Sequence, residues 1–177
     1  MMLYLGATFG DSVLDWGCAR GFYVRALRDL RFRAFGYDIS EWAIENSDPL
    51  VKSWVGNKIN GTMFDWVISK DTGEHVPHGQ LSEYADGILS RMIRGGLIII
   101  PLIDEKTGEY INPADRMDST HVIAWTLRMW LDFFQEAIDR KGYPFTVSGG
   151  YKLPGVKQAA EPYPHSTGFL TIRRFHP

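Results

Sequence analysis

Apolar and polar positions follow two alternating rhythms along the chain. Residues 12–16 (SVLDW) form a short apolar run that ends in a glycine-rich turn, the pattern of a buried strand feeding a loop. The rhythm then lengthens. Phe22, Tyr23, Ala26, Leu27 and Leu30 recur at three- and four-residue spacing, which predicts a helix over 22–30 with that face turned to a sheet. Residues 33–38 (RAFGYD) predict a second strand. Asp38 or Ser40 can cap a short helix over 41–46, because their oxygens accept from amides that lack a helical partner. The alternation in 51–55 (VKSWV) predicts a third strand and 64–69 (FDWVIS) a fourth.

Leu81, Tyr84, Ala85, Ile88, Leu89 and Met92 mark a helix that Gly95-Gly96 would terminate. Residues 97–103 (LIIIPLI) are apolar on both faces, as a central strand covered on each side should be. A polar, irregular stretch over 104–119 precedes a long helix over about 120–141. Its inward stripe would be Val122, Trp125, Met129, Trp130, Phe133, Ala137 and Ile138. Two strand-like runs, 145–148 and 168–175, are joined by a Pro- and Gly-rich connection and predict an antiparallel hairpin. The order describes an α/β protein: a doubly wound, mostly parallel seven-stranded, Rossmann-like sheet with a C-terminal antiparallel hairpin. Such sheets bind ligands beyond the carboxyl ends of their strands, so the loops after Trp16, Asp38, Ser69 and Ile103 should build the site.

Composition narrows the class. With 177 residues, 45% hydrophobic and 23% charged, the chain reads as one folded domain spanning 1–177. The lone Cys18 cannot close an internal disulfide, which fits a reducing compartment. The run 97–103 is too short to cross a bilayer and contains Pro101, and the amino terminus carries no basic leader, so a cytoplasmic protein without membrane contact is expected. Nineteen Lys and Arg against 21 Asp and Glu give a formal charge of −2, which argues against a broad nucleic-acid surface.

The chemistry starts at VLDWGCARG, residues 13–21. Gly17 and Gly21 permit a tight turn and close approach of a ligand to the backbone, and Asp15 can accept hydrogen bonds from an amine. Asp38 follows seventeen positions after Gly21, at the tip of the second strand, where a carboxylate can grip both hydroxyls of a ribose. The alternative is a plain turn followed by a helix cap. The nicotinamide fingerprint, G-x-G-x-x-G, does not match the spacing of Gly17 and Gly21.

That spacing resembles the acid-x-G-x-G-x-G turn of the class I S-adenosylmethionine-dependent methyltransferases, with Ala19 in place of the middle glycine. GYDISEWAIE (36–45), FDWVISKDTGEHVP (64–77), RGGLIIIPL (94–102) and DSTHVIAWTLRMWLDFF (118–134) are similar to later segments of the same family, so that most of the chain up to about Gly142 takes part. Some methyltransferases with the last of these segments serve sugar and cell-surface biosynthesis. The resemblance implies S-adenosylmethionine as cofactor, with contacts from Asp15, Gly17, Cys18, Ala19, Gly21, Asp38, Ile39, Asn57, Ser69 and Lys70. Asn57 stands where the family usually has an acid for the adenine amine. The amino-terminal helical cover of most relatives is shortened here, which leaves 104–119 as the expected lid.

Methyl transfer to oxygen needs an aligned acceptor and a proton acceptor. His121, Glu74 and His75 are the candidate catalytic residues, although each could instead cap a helix or bond a carbonyl. No metal is expected: EHVPH offers His75 and His78, but neither H-E-x-x-H nor paired cysteines occur. The aromatics Trp125, Trp130, Phe133 and Phe134 have helical spacing and read as core. INPADR (111–116) lacks the aromatic of an amino-methylating N-P-P-Y site. The acceptor expected is a small-molecule or sugar-type oxygen nucleophile. Nucleic acid, protein, or a protein that binds the cofactor without catalysis are the alternatives, and the sequence sets no oligomeric state.

Overall fold

The computed structural model describes residues 2–153, 163 and 165–175. Its strands are β1 (Ser12–Trp16), β2 (Arg33–Tyr37), β3 (Val55–Gly56), β4 (Phe64–Lys70), β5 (Met92–Pro101), β6 (Phe145–Gly150) and β7 (Thr167–Arg174). They form one sheet in the order β3-β2-β1-β4-β5-β7-β6. The first five pair in parallel, while β7 runs antiparallel to both β5 and β6. This is the doubly wound, mostly parallel sheet with an antiparallel C-terminal pair that the pattern predicts. The helices are α1 (Phe22–Asp29), α2 (Glu41–Glu45), α3 (Leu81–Leu89), α4 (Pro113–Met117) and α5 (Leu127–Lys141).

Both faces of the sheet are covered, and the two-residue period of the strands divides the core accordingly. Leu97 and Ile99 pack with Val13, Ile68 and Phe169 against Val24 and Leu27 of α1. Ile98 and Ile100 pack with Leu14, Val67 and Leu170 against α3 and α5, where Trp130 and Phe134 are fully buried. Every strand tip from β1 to β5 therefore opens at one edge of the same slab. β1 and β4 lie side by side there, at the point where the strand order reverses.

Several elements differ from the pattern-based expectation. The stripe of α1 that faces the sheet is Val24 and Leu27; Phe22 and Leu30 are exposed. The predicted third strand begins later: Lys52–Trp54 form a 3-10 turn, and the pairing is confined to Val55–Gly56. Gly95-Gly96 do not end α3, which stops at Leu89 with Ser90 as its cap. They lie inside β5, where a Cβ on Gly95 would sit 2.3 Å from the Ile172 carbonyl and one on Gly96 2.5 Å from that of Val67. The glycines let three strands close up. The long helix starts at Leu127 because the Thr126 hydroxyl accepts from Met129 N, so Val122 and Trp125 precede it and Met129 faces outward. Most of the Pro- and Gly-rich connection before β7 lies outside the described residues.

Candidate functional site

Two cavities open at the carboxyl ends of the parallel strands, on either side of the β1/β4 junction. The first, of about 310 Å³, is lined by Trp16 and Gly17 after β1, Tyr37, Asp38 and Ile39 after β2, Thr72 and Val76 after β4, and Gln80, Glu83 and Tyr84 at the start of α3. Its rim is built from backbone. Gly17 N and Cys18 N both donate to the Tyr37 carbonyl, at 2.8 and 3.0 Å. Asp38 Oδ2 accepts from Ala19 N at 2.8 Å and Asp38 Oδ1 from Ser40 N at 2.9 Å, so one carboxylate ties the glycine loop to the cap of α2. The Ser40 hydroxyl in turn accepts from Ala43 N.

The backbone conformation explains the glycines. Gly17 has φ +83° and a Cβ there would lie 2.3 Å from Thr72 Oγ1, so any other residue would be both strained and in collision. Ala19 also lies in the left-handed region, at φ +46°, which the sequence had not demanded of it. The loop asks for glycine at this position, and alanine bears the cost.

Asp15 lies beneath the loop and lines neither cavity. Its carboxylate is almost wholly buried, and among the described residues no hydrogen bond reaches it. Burial, reinforced by the nearby charge of Asp38 and partly offset by Lys70, raises its pKa to about 7. A buried acid only partly offset by Lys70 suits a cationic ligand above the glycine loop.

The second cavity, of about 480 Å³, lies over the tips of β4 and β5 and the start of β7. Lys70 and Asp71 form an ion pair at its edge. Asn112, Asp115 and Asp118 reach it from the segment expected to be a lid, where Asn112 caps α4 by accepting from Ala114 N. Ser166, Thr167 and Phe169 come from the far end of the chain. At its floor stand Glu74, His75 and His121. Glu74 is buried, neither of its carboxylate oxygens has a hydrogen-bond partner among the described residues, and burial raises its pKa to about 8. The Glu74 carbonyl accepts from Val122 N and Ile123 N, which draws the segment before α5 onto the loop after β4. That link seats His121, whose ring stands edge-on to His75 with centroids 4.7 Å apart and whose buried Nδ1 is also unpartnered.

The residues singled out from sequence thus fall into three groups. Gly17, Asp38 and Ile39 line the first cavity; Lys70, Glu74, His75 and His121 line the second. The others support rather than face the openings. The Cys18 side chain packs into the core, where a Cβ on Gly36 would touch its sulfur, and burial pushes its thiol pKa up. Ser69 is fully buried with its hydroxyl 3.0 Å from that of Tyr84, which removes it from direct contact with a ligand. Gly21 caps α1, and Asn57 Nδ2 donates to Glu41 Oε1 at 3.4 Å. The histidine pairing inside EHVPH is not made, since His78 packs on Trp125 and His121 takes its place beside His75. Sequence reasoning missed Tyr37, Thr72 and Glu83 at the first cavity and Asp115 and Asp118 at the second. Tyr37, Thr72, Asp115 and Asp118 lie inside segments the sequence singled out, whereas Glu83 carried no local signal.

A family model described as a methyltransferase domain matches residues 6–144. The chain belongs to that family. Its fold and activity are those of a class I methyltransferase, and S-adenosylmethionine is the cofactor. No curated protein matches the sequence. Among solved structures, the small RNA methyltransferase HEN1 is similar in fold with a TM-score of 0.72 and 16% identity, over 99% of this chain and 24% of that one. An S-adenosylmethionine-dependent methyltransferase from Archaeoglobus fulgidus has a TM-score of 0.67 at 17% identity, over 93% and 86%. The 1,6-didemethyltoxoflavin-N1-methyltransferase of Burkholderia thailandensis, solved with S-adenosylhomocysteine, has a TM-score of 0.61 at 20% identity, over 99% and 75%.

In this methyltransferase a glycine whose Cβ would collide, a carboxylate at the tip of β2 and a buried acid meet at one loop. No helix among the described residues is long and apolar enough to cross a membrane.

Proposed function

We propose that this methyltransferase acts on an oxygen nucleophile of a small, polar, sugar-type molecule. The second cavity carries that reading. It is of a size for a small molecule, is lined mainly by polar side chains, shares the loop after β4 with the first cavity, and holds two groups unpartnered among the described residues, Glu74 and His121 Nδ1, where an acceptor hydroxyl would need help.

In this reading the first cavity takes the adenosine half, with Asp38 accepting from the ribose hydroxyls, Ile39 covering the base and Asn57 beyond it offering an amide oxygen. Asp15 balances the positive charge, and Gly17 lets the methionine half lie against backbone. When bound, S-adenosylmethionine supplies an electrophilic methyl on a sulfonium. The chain orients the acceptor oxygen in line with it, and Glu74, His75 and His121 lower the cost of removing the hydroxyl proton. Asp71, Asp115 and Asp118 line the cavity beside Lys70, which is itself paired with Asp71, so a phosphodiester would meet more carboxylates than cations. This favours an uncharged acceptor over nucleic acid.

Incubation with S-adenosylmethionine and a panel of polyols, sugars, phenols, amines and short oligonucleotides, read by mass spectrometry, tests the proposal. The expected result is a one-methyl increment on a hydroxylated small molecule. Methylation confined to amines or oligonucleotides overturns it. Tight cofactor binding without any transfer favours a binding protein instead.

A further inference from the structure

The floor of the second cavity has an unusual balance of polar groups. A buried carboxylate normally finds hydrogen bonds or a cation, because an unsatisfied one loses its hydration for nothing. Among the described residues Glu74 has neither: both oxygens are unpartnered, and His75 Nε2 stands 3.9 Å from Oε1, too far for a hydrogen bond. His121 Nδ1 is unpartnered in the same place. One ligand atom from each of Glu74, His75 and His121 lies within 4.8 Å of the other two. Ligands about 2.1 Å from a tetrahedral ion are roughly 3.4 Å apart. The three side chains therefore need to close by little more than about 1 Å.

The surrounding groups orient the imidazoles for such a role. Thr120 Oγ1 donates to Asp118 Oδ1, which leaves that hydroxyl oxygen and the Thr120 carbonyl as acceptors at 2.9 and 3.2 Å from His75 Nδ1. Nδ1 of a neutral His75 must then carry the proton, and Nε2, on the side of Glu74, carries the lone pair. The Nε2 of His121 lies 3.6 Å from Asp118 Oδ2, beyond hydrogen-bond distance but within reach of the carboxylate-imidazole contact that steadies a metal-binding histidine. His78 is excluded by its packing on Trp125.

We propose that Glu74, His75 and His121 form a binding site for one divalent transition-metal ion, with its open positions facing the second cavity. Two imidazoles and one carboxylate suit Zn²⁺, Co²⁺ or Mn²⁺ better than Mg²⁺ or Ca²⁺, which prefer oxygen alone. The same placement deepens the reading of the acceptor site, and rests on it only for what fills the open positions: an acceptor hydroxyl bound there would be polarised by the ion.

The test is titration of the chelator-treated full chain with CoCl2, ZnCl2, MgCl2 and CaCl2, by calorimetry and, for Co²⁺, by visible absorption. One Co²⁺ or Zn²⁺ per chain is expected, at least about 100-fold tighter than Ca²⁺, with a visible spectrum of imidazole ligation at low coordination number. Glu74→Gln and His121→Asn should each weaken binding tenfold or more, since losing even a group that only orients a ligand costs that much, while His78→Ala leaves it unchanged. Absence of saturable binding, an aquo-like six-coordinate Co²⁺ spectrum, or equal affinity in Glu74→Gln and His121→Asn overturns the site. The unsubstituted protein's spectrum decides even if a variant misfolds. A parallel titration with S-adenosylhomocysteine separates the two claims: cofactor binding without metal sinks the ion site alone, and metal binding without cofactor sinks the reading of the first cavity.

Discussion

The two cavities are neighbours on the same sheet edge yet are built on opposite principles. The rim of the first is closed by its own backbone: Gly17, Cys18, Ala19 and Ser40 donate to Tyr37 and Asp38, and the loop has its shape before anything arrives. The floor of the second leaves its most buried polar atoms unspent, on Glu74 and His121. A pre-satisfied rim recognises by shape and costs little to keep. A floor of unsatisfied groups is expensive in the empty protein, and such expense is retained where a ligand recovers it. The first cavity, on this comparison, should govern cofactor affinity and the second the rate of transfer.

The largest expected effect tests that division. His121→Asn should lower kcat by about 10²-fold or more, the scale of a lost acid-base or activating group, while S-adenosylhomocysteine affinity by calorimetry stays within about twofold. A matched loss of affinity would break the comparison.

Next comes Asp15, the buried acid beneath the glycine loop. Its pKa is raised from 3.8 to about 7 in the folded chain. The protonated acid is thus favoured by folding: that stability is fully present below about pH 4 and is lost as pH rises through about 7. Asp15→Asn should remove this slope and make the unliganded protein more stable at pH 8, by an amount on the order of 2–4 kcal/mol. The same change should weaken cofactor binding roughly tenfold, as a negative charge beneath the cationic ligand is lost. Thermal unfolding across pH, paired with calorimetry, reads both signs. Agreement of the two signs would show that Asp15 does not face the cofactor.

The smallest effect sharpens the account of the rim. Ala19→Gly relieves about 1–2 kcal/mol of left-handed strain and adds somewhat less in unfolded-chain entropy. A net gain of about 0.5 kcal/mol is expected, visible as a higher denaturant midpoint with unchanged cofactor affinity.

The same contrast explains how much could be read from sequence. The rim was legible because it is local: the glycine turn, Asp38 and the Ser40 cap fall within about 25 residues, and each acts through the backbone beside it. What failed there was the direction of side chains. Cys18 turns down against Gly36, a matter of which way a loop residue packs, and Ser69 sits at a strand position whose side chain points to Tyr84. The floor was legible only as a set of residue types. His121 meets His75 because Val122 and Ile123 hydrogen-bond to the Glu74 carbonyl, a contact between segments nearly fifty residues apart that no periodicity announces. Gly95-Gly96 misled for a similar reason. Glycines that look like a helix terminus are needed instead because β4 and β7 press on β5 from both sides.

The insertion of β7 between β5 and β6 has a consequence for how such an enzyme diversifies. The family model matches residues 6–144, yet Ser166, Thr167 and Phe169 wall the second cavity. If the two cavities divide donor and acceptor as proposed, the two recognitions are written in separate stretches of the gene, and the closing hairpin can be rewritten to admit a new partner while the nucleoside cradle is inherited intact.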